Sequence, residues 1–476
     1  MQHSIPLAFK ARMIEQLGIE EASSLFAALE GEAPVSIQYH PTKGKPDETL
    51  KAVPWYQLGR YLPERPSFTL DPVFQGGAYY VQEAGSMLIA WLIDQLDMPD
   101  RPWRILDLCA APGGKSCLLA AIMPEDSLLV SNEVIKSRAN ILRYNLAKWG
   151  LPGTWVTNLD PQAFESLTGF FDLVLVDAPC SGEGLFRKDP ASRSQWSEEN
   201  ASLCSARQSR ILRSAVPLLR PGGYLIYSTC TFNPEENIAQ VEWLKDLGPA
   251  CWTQVGRLSQ VGAKPPPSWN IQFKNGTYSL LPHRAKAEGF FAAALTAPTG
   301  SLAAQSATRS KDRSPKKRKP KSRKGGLTQD FPHWTPLSKT HQELVKPWLA
   351  EPSQFAYYQN KKGRIFALTK SLLPEAIQLA VALPRIDLGL PIGQIKGKSL
   401  VPAPELAFHT ALNSKIPRLE VDRETAINLM RKQTPEVLGL QSGFQLITYQ
   451  GLGLLWLKGI GKRYNNYWPT DWRIRK

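Results

Sequence analysis

Apolar, strand-like segments alternate with longer amphipathic segments over residues 103–297, and this alternation constrains the fold more than any other feature of the chain. Predicted strands lie at 104–109, 127–132, 154–158, 172–177, 223–229 and 289–296. Predicted helices lie between them at 115–122, 136–148, 200–218 and 235–246. Pro221-Gly222-Gly223 is expected to separate the third helix from the next strand. The pattern predicts an α/β domain whose parallel sheet is covered by helices on both faces.

The rest of the chain divides around this domain. With 476 residues the chain is too long for one ordinary core, and its 43% hydrophobic and 21% charged residues are typical of globular proteins. We expect a small helical and mixed N-terminal region (1–100), the α/β domain (101–298), a basic flexible linker (299–329) and a second globular unit (330–476). The short strands and Gly/Pro turns of that last unit favour an α+β or small barrel-like module.

The net charge of +15 is concentrated in one segment. Residues 309–324 contain ten Lys or Arg and one Asp, so this segment alone carries +9. A polyanion, most commonly nucleic acid, is the partner that such a charge favours, although a solvated flexible tail has the same composition.

Several classes of protein find no support in the sequence. No apolar run approaches the ~18 residues that a membrane helix needs, and the N-terminus does not have the pattern of a signal peptide. The six cysteines (109, 117, 180, 204, 230 and 251) include no CxxC pair, so neither a metal site nor a disulfide framework is predicted. We therefore expect a cytoplasmic protein with reduced thiols and no membrane association. A monomer is expected because no coiled-coil heptads stand out.

A loop of small residues, Ala110-Ala111-Pro112-Gly113-Gly114-Lys115, follows the first predicted strand, which ends at Cys109. Small residues let the backbone approach a ligand closely, and the helix that begins after them offers free N–H groups. The carboxyl end of a strand in an open α/β sheet is also where ligands bind. The sequence therefore predicts a ligand-binding loop here.

Two kinds of ligand compete for this loop. Gly114-Lys115-Ser116 matches the end of a phosphate-loop motif, but Cys109 stands where that motif requires its first Gly. Glu133 lies 20 residues after Gly113, at the end of the second strand, and matches the acidic residue that binds ribose hydroxyls. This spacing favours a nucleoside. Asp160, after the third strand, either contacts the adenine or starts an Asp-Pro turn, and spacing alone does not decide between the two.

Two cysteines follow the ends of two other predicted strands. Cys180 comes shortly after a strand that ends at Asp177, and Cys230 follows the strand 223–229. Both are expected at the same edge as the glycine loop, in loops rather than inside strands, which favours function over inert packing. Covalent methylation of cytosine at C5 needs a thiolate that adds to C6, a carboxyl group beside N3 such as Asp177, and a group that assists release. These residues supply all three roles, but the sequence pattern does not tell which cysteine attacks.

The segments LDLCAAPGGKS (106–116), NE (132–133), VDAPCSGEG (176–184), RKDP (187–190), RPGGYLIYSTCT (220–231) and NPEEN (233–237) together resemble the Nol/Nop/Sun family of RNA cytosine C5-methyltransferases. The resemblance implies a class I methyltransferase sheet of the Rossmann-like type. It also implies S-adenosyl-L-methionine as cofactor, bound by residues 109–115, Glu133, Asp160 and Asp177. By the same resemblance Cys230 is the nucleophile and Cys180 assists release of the methylated product.

Within that family, GEGLFRKDP (182–190), LPIGQIKGK (390–398) and YNNYWPTDWRIRK (464–476) resemble the bacterial members that methylate small-subunit ribosomal RNA near the decoding region. The resemblance implies that 330–476 is a PUA-like RNA-binding module, and that ribosomal RNA or the small ribosomal subunit is the partner. One departure is visible: family members usually carry Arg-x-Asn where this chain has Gln38-Tyr39-His40, so we expect an altered RNA contact there.

The C-terminal segment 456–476 interleaves six Lys or Arg with five aromatic residues, a pattern that suits phosphate contact and base stacking. We expect Trp456 to lie in the core, and Lys462, Arg463, Arg473 and Arg475 to face RNA. Three alternatives remain at this point: a transfer-RNA methyltransferase, an RNA-stimulated phosphate-loop ATPase, and a non-catalytic ribosome-assembly factor.

Overall fold

A computed structural model describes residues 4–247, 257–299, 331 and 334–475. Cys251 and the basic segment 309–324 lie outside the described residues. The N-terminal region begins with two helices, as predicted, and continues as a small sheet of strand order β2-β3-β1-β4. Its elements are α1 (Leu7–Leu17), α2 (Ile19–Glu30), β1 (Val35–Tyr39), β2 (Ala52–Val53), β3 (Tyr56–Leu62), α3 (Pro72–Gln75), β4 (Tyr79–Val81) and α4 (Leu88–Asp94).

The central domain is built on a sheet of order β11-β12-β13-β9-β8-β5-β6-β7, in which β5 to β9 run parallel. Its strands are β5 (Arg104–Asp107), β6 (Leu128–Asn132), β7 (Thr154–Thr157), β8 (Phe171–Asp177), β9 (Leu219–Thr229), β10 (Ser259–Val261), β11 (Gln272–Lys274), β12 (Thr277–Leu280) and β13 (Phe290–Thr296). Its helices are α5 (Gly114–Ile122), α6 (Lys136–Trp149), α7 (Ser192–Gln195), α8 (Glu198–Ala215) and α9 (Ile238–Asp246). The predicted α/β class is confirmed.

The apolar runs of the parallel strands explain their central position. Leu173, Val174, Leu175 and Val176 of β8 are fully buried, because one core cluster packs on each face of the sheet. Strands covered on both faces read as continuous apolar runs rather than as alternating ones.

Two details of the predicted sheet were wrong. The last predicted strand, β13, pairs antiparallel with β9 and is not part of the parallel set. Pro221-Gly222-Gly223 does not precede the strand: β9 already begins at Leu219, and these residues form an irregularity in its pairing with β8. Gly222 adopts a φ of 71°, which glycine tolerates without the steric cost of a side chain.

The C-terminal part contains a five-stranded sheet, β14-β15-β16-β18-β19, and a four-stranded sheet, β20-β21-β22-β23. Its strands are β14 (Trp334–Pro336), β15 (Phe355–Asn360), β16 (Arg364–Thr369), β17 (Ile386–Asp387), β18 (Leu390–Lys396), β19 (Ser399–Pro402), β20 (Arg418–Glu420), β21 (Gly443–Tyr449), β22 (Leu452–Ile460) and β23 (Arg463–Asn466). Its helices are α10 (Lys339–Val345), α11 (Leu373–Ala382) and α12 (Arg423–Met430). The predicted α+β module is confirmed, and Trp456 is fully buried as expected.

The C-terminal part contacts both other parts of the chain. Strand β17 extends the central sheet by pairing antiparallel with β7. Arg143 of α6 forms an ion pair of 2.6 Å with Asp387, and Arg423 donates a hydrogen bond of 2.8 Å to the carbonyl of Leu70 in the N-terminal region. Within the described residues, no helix is both long enough and apolar enough to cross a membrane.

Candidate active site

The glycine loop connects the end of β5 to the start of α5. Gly113 has a φ of 115°, and a Cβ atom added there would lie 3.1 Å from Leu142 of α6, so only glycine fits this turn without strain. The carbonyl of Ala111 accepts a hydrogen bond from Arg138 (2.7 Å), and that of Pro112 accepts one from Asn145 (2.8 Å). The loop is therefore fixed against α6, and the N-terminus of α5 is left facing the edge of the sheet.

The N-terminal sheet supports the same loop from its other side. The side-chain amide of Gln38 donates a hydrogen bond of 3.0 Å to the carbonyl of Gly114, and the side chain of Gln82 packs so close to Gly114 that a Cβ atom there would clash. His40 is also fully buried, and its Nε2 bonds to the carbonyl of Trp149 at 2.9 Å. Both side chains are therefore buried and bonded within the chain, and the altered RNA contact at this position stays a prediction.

Beneath the loop, Asp107 is fully buried at the end of β5. One of its oxygens accepts a hydrogen bond of 2.7 Å from Ser116, while the other is buried without a hydrogen-bond partner among the described residues. Burial raises the pKa of Asp107 to about 7. The sequence pattern gives no sign of this role, because a residue at the end of an apolar strand is indistinguishable from other core positions.

The two further acidic residues predicted to bind the nucleoside lie at the ends of β6 and β7. Glu133 accepts a hydrogen bond from the backbone N–H of Ile135 (2.8 Å) and lies 3.3 Å from Arg138. Asp160 accepts a hydrogen bond from the backbone N–H of Gln162 (3.0 Å) and pairs with Arg210 (3.1 Å). The structure thus shows the turn-starting role of Asp160, while its contact with adenine stays a prediction.

Asp177 lies at the end of β8, in the middle of the same edge. Its carboxylate pairs with Lys115 of the glycine loop at 2.9 Å and accepts a hydrogen bond of 2.8 Å from Ser228 of β9. Burial on its own would lower the pKa of Lys115, but the ion pair with Asp177 outweighs burial and leaves that pKa raised. Lys115 is therefore a fixed positive charge between the glycine loop and the cysteine strands.

Cys180 and Cys230 meet at this edge, as their positions after β8 and β9 predict. Their sulfur atoms are 3.1 Å apart, and the backbone N–H of Cys230 lies 3.4 Å from the sulfur of Cys180. The hydrogen bond with Cys230, together with burial, raises the pKa of Cys180 well above its ordinary value. Either sulfur could donate in this contact, and the raised pKa of Cys180 favours Cys180 as the protonated partner.

The remaining cysteines lack these surroundings. Burial raises the pKa of the Cys109 thiol, which opposes thiolate formation. Cys117 of α5 and Cys204 of α8 are buried.

Two buried glutamates, Glu236 and Glu183, hold the loop that carries Cys180. Neither has a role that the sequence pattern predicts. Glu236 accepts hydrogen bonds from the backbone N–H of Ser181 (2.8 Å) and from Gln208 (3.0 Å). Glu183 pairs with Arg12 of α1 at 2.7 Å and accepts hydrogen bonds from Trp196 and from the backbone N–H of Phe232. Both glutamates lie within the quoted family segments, but only the fold shows that they join the Cys180 loop to its neighbours.

The segment 187–189 continues from this loop. Arg187 is bonded to Glu288 (2.9 Å) and to the carbonyl of Ala287, while Lys188 is exposed. Among the described residues, no group of three or more His, Cys, Asp or Glu side chains is placed to hold a metal ion.

Three family models match successive parts of the chain. The model described as 16S rRNA methyltransferase RsmB/F matches residues 95–296. The N-terminal domain of 16S rRNA methyltransferase RsmF matches residues 5–84, and the methyltransferase RsmF PUA domain matches residues 416–474. These matches assign three successive segments of the chain to models of the RsmB/F and RsmF methyltransferases, none of which alone covers half of the chain.

Individual relatives agree with this assignment. A protein named ribosomal RNA small subunit methyltransferase F from Pectobacterium atrosepticum is 38% identical over 259 residues, which cover 53% of this chain and 52% of the relative. One of the same name from Escherichia coli O139:H28 is 36% identical, over 52% of this chain and 51% of the relative. In these matches the chain spans about half the length of the curated relatives.

Solved structures show the same fold. A methyltransferase homolog protein from Pyrococcus horikoshii has a TM-score of 0.50 and 26% identity, over 61% of this chain and 94% of that one. NSun6 from Pyrococcus horikoshii has a TM-score of 0.50 at 18% identity, over 62% of this chain and 99% of that one, and this similarity concerns the fold alone.

Proposed function

We propose that this protein methylates C5 of cytosine in small-subunit ribosomal RNA, with S-adenosyl-L-methionine as methyl donor and a covalent bond between Cys230 and C6 of the base. The observation that carries the proposal is the 3.1 Å contact between Cys180 and Cys230 beside the Asp177–Lys115 ion pair. The names of the matching family models and relatives support ribosomal RNA over transfer RNA. They also favour a methyltransferase over a phosphate-loop ATPase.

The residues at the strand ends fit the proposed cofactor. The left-handed turn at Gly113 and the start of α5 provide close backbone approach and free N–H groups for its polar end. Glu133 directly follows β6, which supports its assignment to the ribose hydroxyls, and Asp177 pairs with Lys115 of the glycine loop. We assign binding to residues 109–115, Glu133, Asp160 and Asp177. When bound, S-adenosyl-L-methionine supplies an electrophilic methyl group.

Cys230 is assigned as the nucleophile. In the proposed mechanism Cys180 is the protonated partner of the 3.1 Å sulfur contact, so that it can donate a hydrogen bond to a thiolate at Cys230. Addition of that thiolate to C6 increases the negative charge on the ring. A proton or a hydrogen-bond donor at N3 must stabilise this charge. Asp177 is assigned to this contact and must take a proton from solvent to donate to N3, while Lys115, its partner at 2.9 Å, stays charged and holds the carboxyl group in position.

Release of the product requires that a base remove the C5 proton, after which expulsion of the Cys230 thiolate restores the C5–C6 double bond. We assign this step to Cys180, which no longer faces a Cys230 thiolate once Cys230 is bonded to C6. Cys180 must first give its own proton to solvent, and the resulting thiolate then takes the C5 proton. The buried Glu236 holds this cysteine's loop in place through the backbone N–H of Ser181. The target base must leave its stack to reach these residues.

RNA contact is assigned to the C-terminal module. Lys462, Arg463, Arg473 and Arg475 are exposed there, as an RNA-facing role requires.

The proposal is tested by measuring transfer of a labelled methyl group from S-adenosyl-L-methionine to small ribosomal subunits and to naked 16S rRNA. The wild-type chain should label the C5 position of a cytosine, and Cys230→Ser should give no label above background. Cys204→Ser, a cysteine buried in α8 that follows neither β8 nor β9, is the matched control and should retain transfer. Equal transfer by Cys230→Ser and wild type would contradict the proposal.

A further inference from the structure

A cavity of about 390 Å³ lies where the N-terminal region meets the C-terminal module, away from the cysteine strands. We call it the junction pocket. Thr42, Lys43 and Gly76 contribute one wall, and the segment 407–412 with Arg418 and the β21–β22 turn contributes the other. Within the described part of the chain, three ionisable side chains line the pocket: Lys43, His409 and Arg418. No carboxylate is among these lining residues. This composition points to an anion.

Lys43 has donor capacity left for a ligand. Its ammonium group donates to the carbonyls of Lys148 (2.5 Å) and Gly76 (3.5 Å), which uses two of its three N–H bonds. No carboxylate pairs with it among the described residues. Burial, and to a lesser degree the neighbouring charge of Lys148, lower the pKa of Lys43 to about 7, so a bound anion would compensate a charge that the chain leaves unpaired.

His409 offers a second donor. Its Nδ1 accepts a hydrogen bond of 3.1 Å from the backbone N–H of Ala411, so in the neutral ring the proton is on Nε2. Burial lowers the pKa of His409 to about 3, which keeps the ring neutral. Its Nε2–H has no hydrogen-bond partner among the described residues, and the ring lines the pocket. A neutral N–H donor of this kind suits an anion that is already partly neutralised by Lys43.

Arg418 completes the set from the C-terminal side. It is exposed at the start of β20 and forms no ion pair within the described part of the chain. Glu420, two residues further along the strand, is engaged with the hydroxyl of Thr448 and with the backbone N–H groups of Gln450 and Gly451. Its carboxylate is therefore bonded to these groups and forms no ion pair with Arg418.

We propose that the junction pocket binds a phosphate group of the RNA backbone through Lys43, His409 and Arg418. The proposal rests on the proposed function, because it assumes that RNA is the substrate. A phosphodiester accepts hydrogen bonds from lysine, arginine and imidazole N–H groups, and a site shared by the N-terminal region and the C-terminal module would fix the RNA against both.

The test compares RNA binding by the full chain and by Arg418→Gln across a series of salt concentrations, with a single-stranded fragment of 16S rRNA. Arg418→Gln should bind on the order of tenfold more weakly, and the slope of log K against log salt should fall by about 0.7 for the lost phosphate contact. Lys43→Met should behave in the same way. If Lys43→Met does not fold, the exposed Arg418 still decides the question. Lys274→Gln, an exposed lysine of β11 at the opposite edge of the central sheet from β17, is the matched control.

Free phosphate is distinguished from RNA by a second measurement, in which inorganic phosphate replaces chloride at constant ionic strength and thermal unfolding is followed. Unchanged RNA affinity and salt slope in Arg418→Gln would overturn the proposal. Stabilisation of the wild type by inorganic phosphate, with RNA binding unaffected by the substitution, would also overturn it and assign the pocket to a free anion. Methyl transfer by the wild type is assayed separately, so that a failure of the proposed function is seen on its own.

Discussion

Among single residues, Lys115 links the two halves of the site, because its ammonium group belongs to the glycine loop and pairs with the carboxylate that ends β8. The pKa of Lys115 is raised by that pair despite its burial, so the charge persists at neutral pH. Cys230 lies close enough to interact electrostatically with it. We infer that Lys115 favours the thiolate and holds Asp177 in position.

Replacing this lysine tests its role. We expect Lys115→Met to lower the rate of methyl transfer by about 10²- to 10³-fold, because a preorganised charge beside the reacting groups is lost. Lys115→Arg should recover part of the rate, since it keeps the charge but changes the geometry. Single-turnover kinetics measure both, and a Lys115→Met rate within twofold of wild type would show that the pair is only structural.

The sequence alone identified the glycine loop, the acidic residues and both cysteines as candidate site residues, because each follows a recognisable apolar strand. It did not rank Cys230 above Cys180 without the family resemblance. The proposed ranking draws on the folded chain, where the 3.1 Å contact raises the pKa of Cys180. Asp107, Glu183 and Glu236 were missed because a carboxylate inside a core or loop has no periodic signature.

At the scale of elements, β1 and the start of α5 are joined by the hydrogen bond from Gln38 to the carbonyl of Gly114. The N-terminal sheet therefore helps to shape the loop that is proposed to hold the cofactor.

Gln38→Leu removes this bond while keeping most of the buried volume. We expect binding of S-adenosyl-L-methionine to weaken by about 3- to 30-fold, because a buried carbonyl loses its donor and the loop relaxes. RNA affinity should stay close to that of wild type. Isothermal titration calorimetry with each ligand separates the two effects, and an unchanged cofactor affinity would show that the loop keeps its shape without the N-terminal sheet.

Helix α6 carries a buried lysine. Lys148 is 4% exposed, its ammonium group lies 3.9 Å from the ring centroid of Phe74, and burial lowers its pKa to about 7 from 10.5. Since the folded pKa lies below the unfolded one, Lys148 destabilises the fold at neutral pH, and this cost declines as the pH rises from 7 to about 10.

Lys148→Met should therefore raise the melting temperature by a few degrees at pH 7, although it gives up the attraction to the aromatic ring. The difference from wild type should narrow as the pH approaches 10. Thermal unfolding at pH 7, 8.5 and 10 measures this, and a gap that stays constant over that range would contradict a lowered pKa.

Element boundaries followed the hydrophobic pattern where strands are long and buried, as in β8. The pattern failed at β9, because proline and two glycines normally end an element but here form an irregularity within a strand. Strand β17 was not predicted, since two residues give no periodicity and their partner in β7 is more than two hundred positions away in the sequence.

At the scale of the whole molecule, the C-terminal module contacts both the central sheet and the N-terminal region, and so presents its exposed basic side chains on a fixed scaffold. The composition predicted that a second globular unit follows the basic segment. It could not predict that this unit contacts the central sheet and the N-terminal region. They depend on single pairs such as Arg104 with Glu375 (2.8 Å) and Arg143 with Asp387 (2.6 Å), which lie hundreds of residues apart.

Selection of the RNA substrate is tested with the whole chain. Bisulfite sequencing of total RNA from a strain that lacks this protein should show loss of a 5-methylcytosine in 16S rRNA, with transfer-RNA sites retained. Re-expression of the wild-type chain should restore the mark, and re-expression of Cys230→Ser should not. Loss confined to transfer RNA would reassign the substrate while leaving the proposed chemistry in place.

The central claim is that Cys230 bonds to the base and Cys180 is needed to release it. Its most direct test is denaturing electrophoresis of Cys180→Ala after incubation with RNA and S-adenosyl-L-methionine, beside the double variant Cys180→Ala/Cys230→Ala. We predict a band of covalent protein–RNA adduct for the single variant and none for the double variant. Normal turnover without adduct in Cys180→Ala, or an adduct that persists without Cys230, would contradict the account.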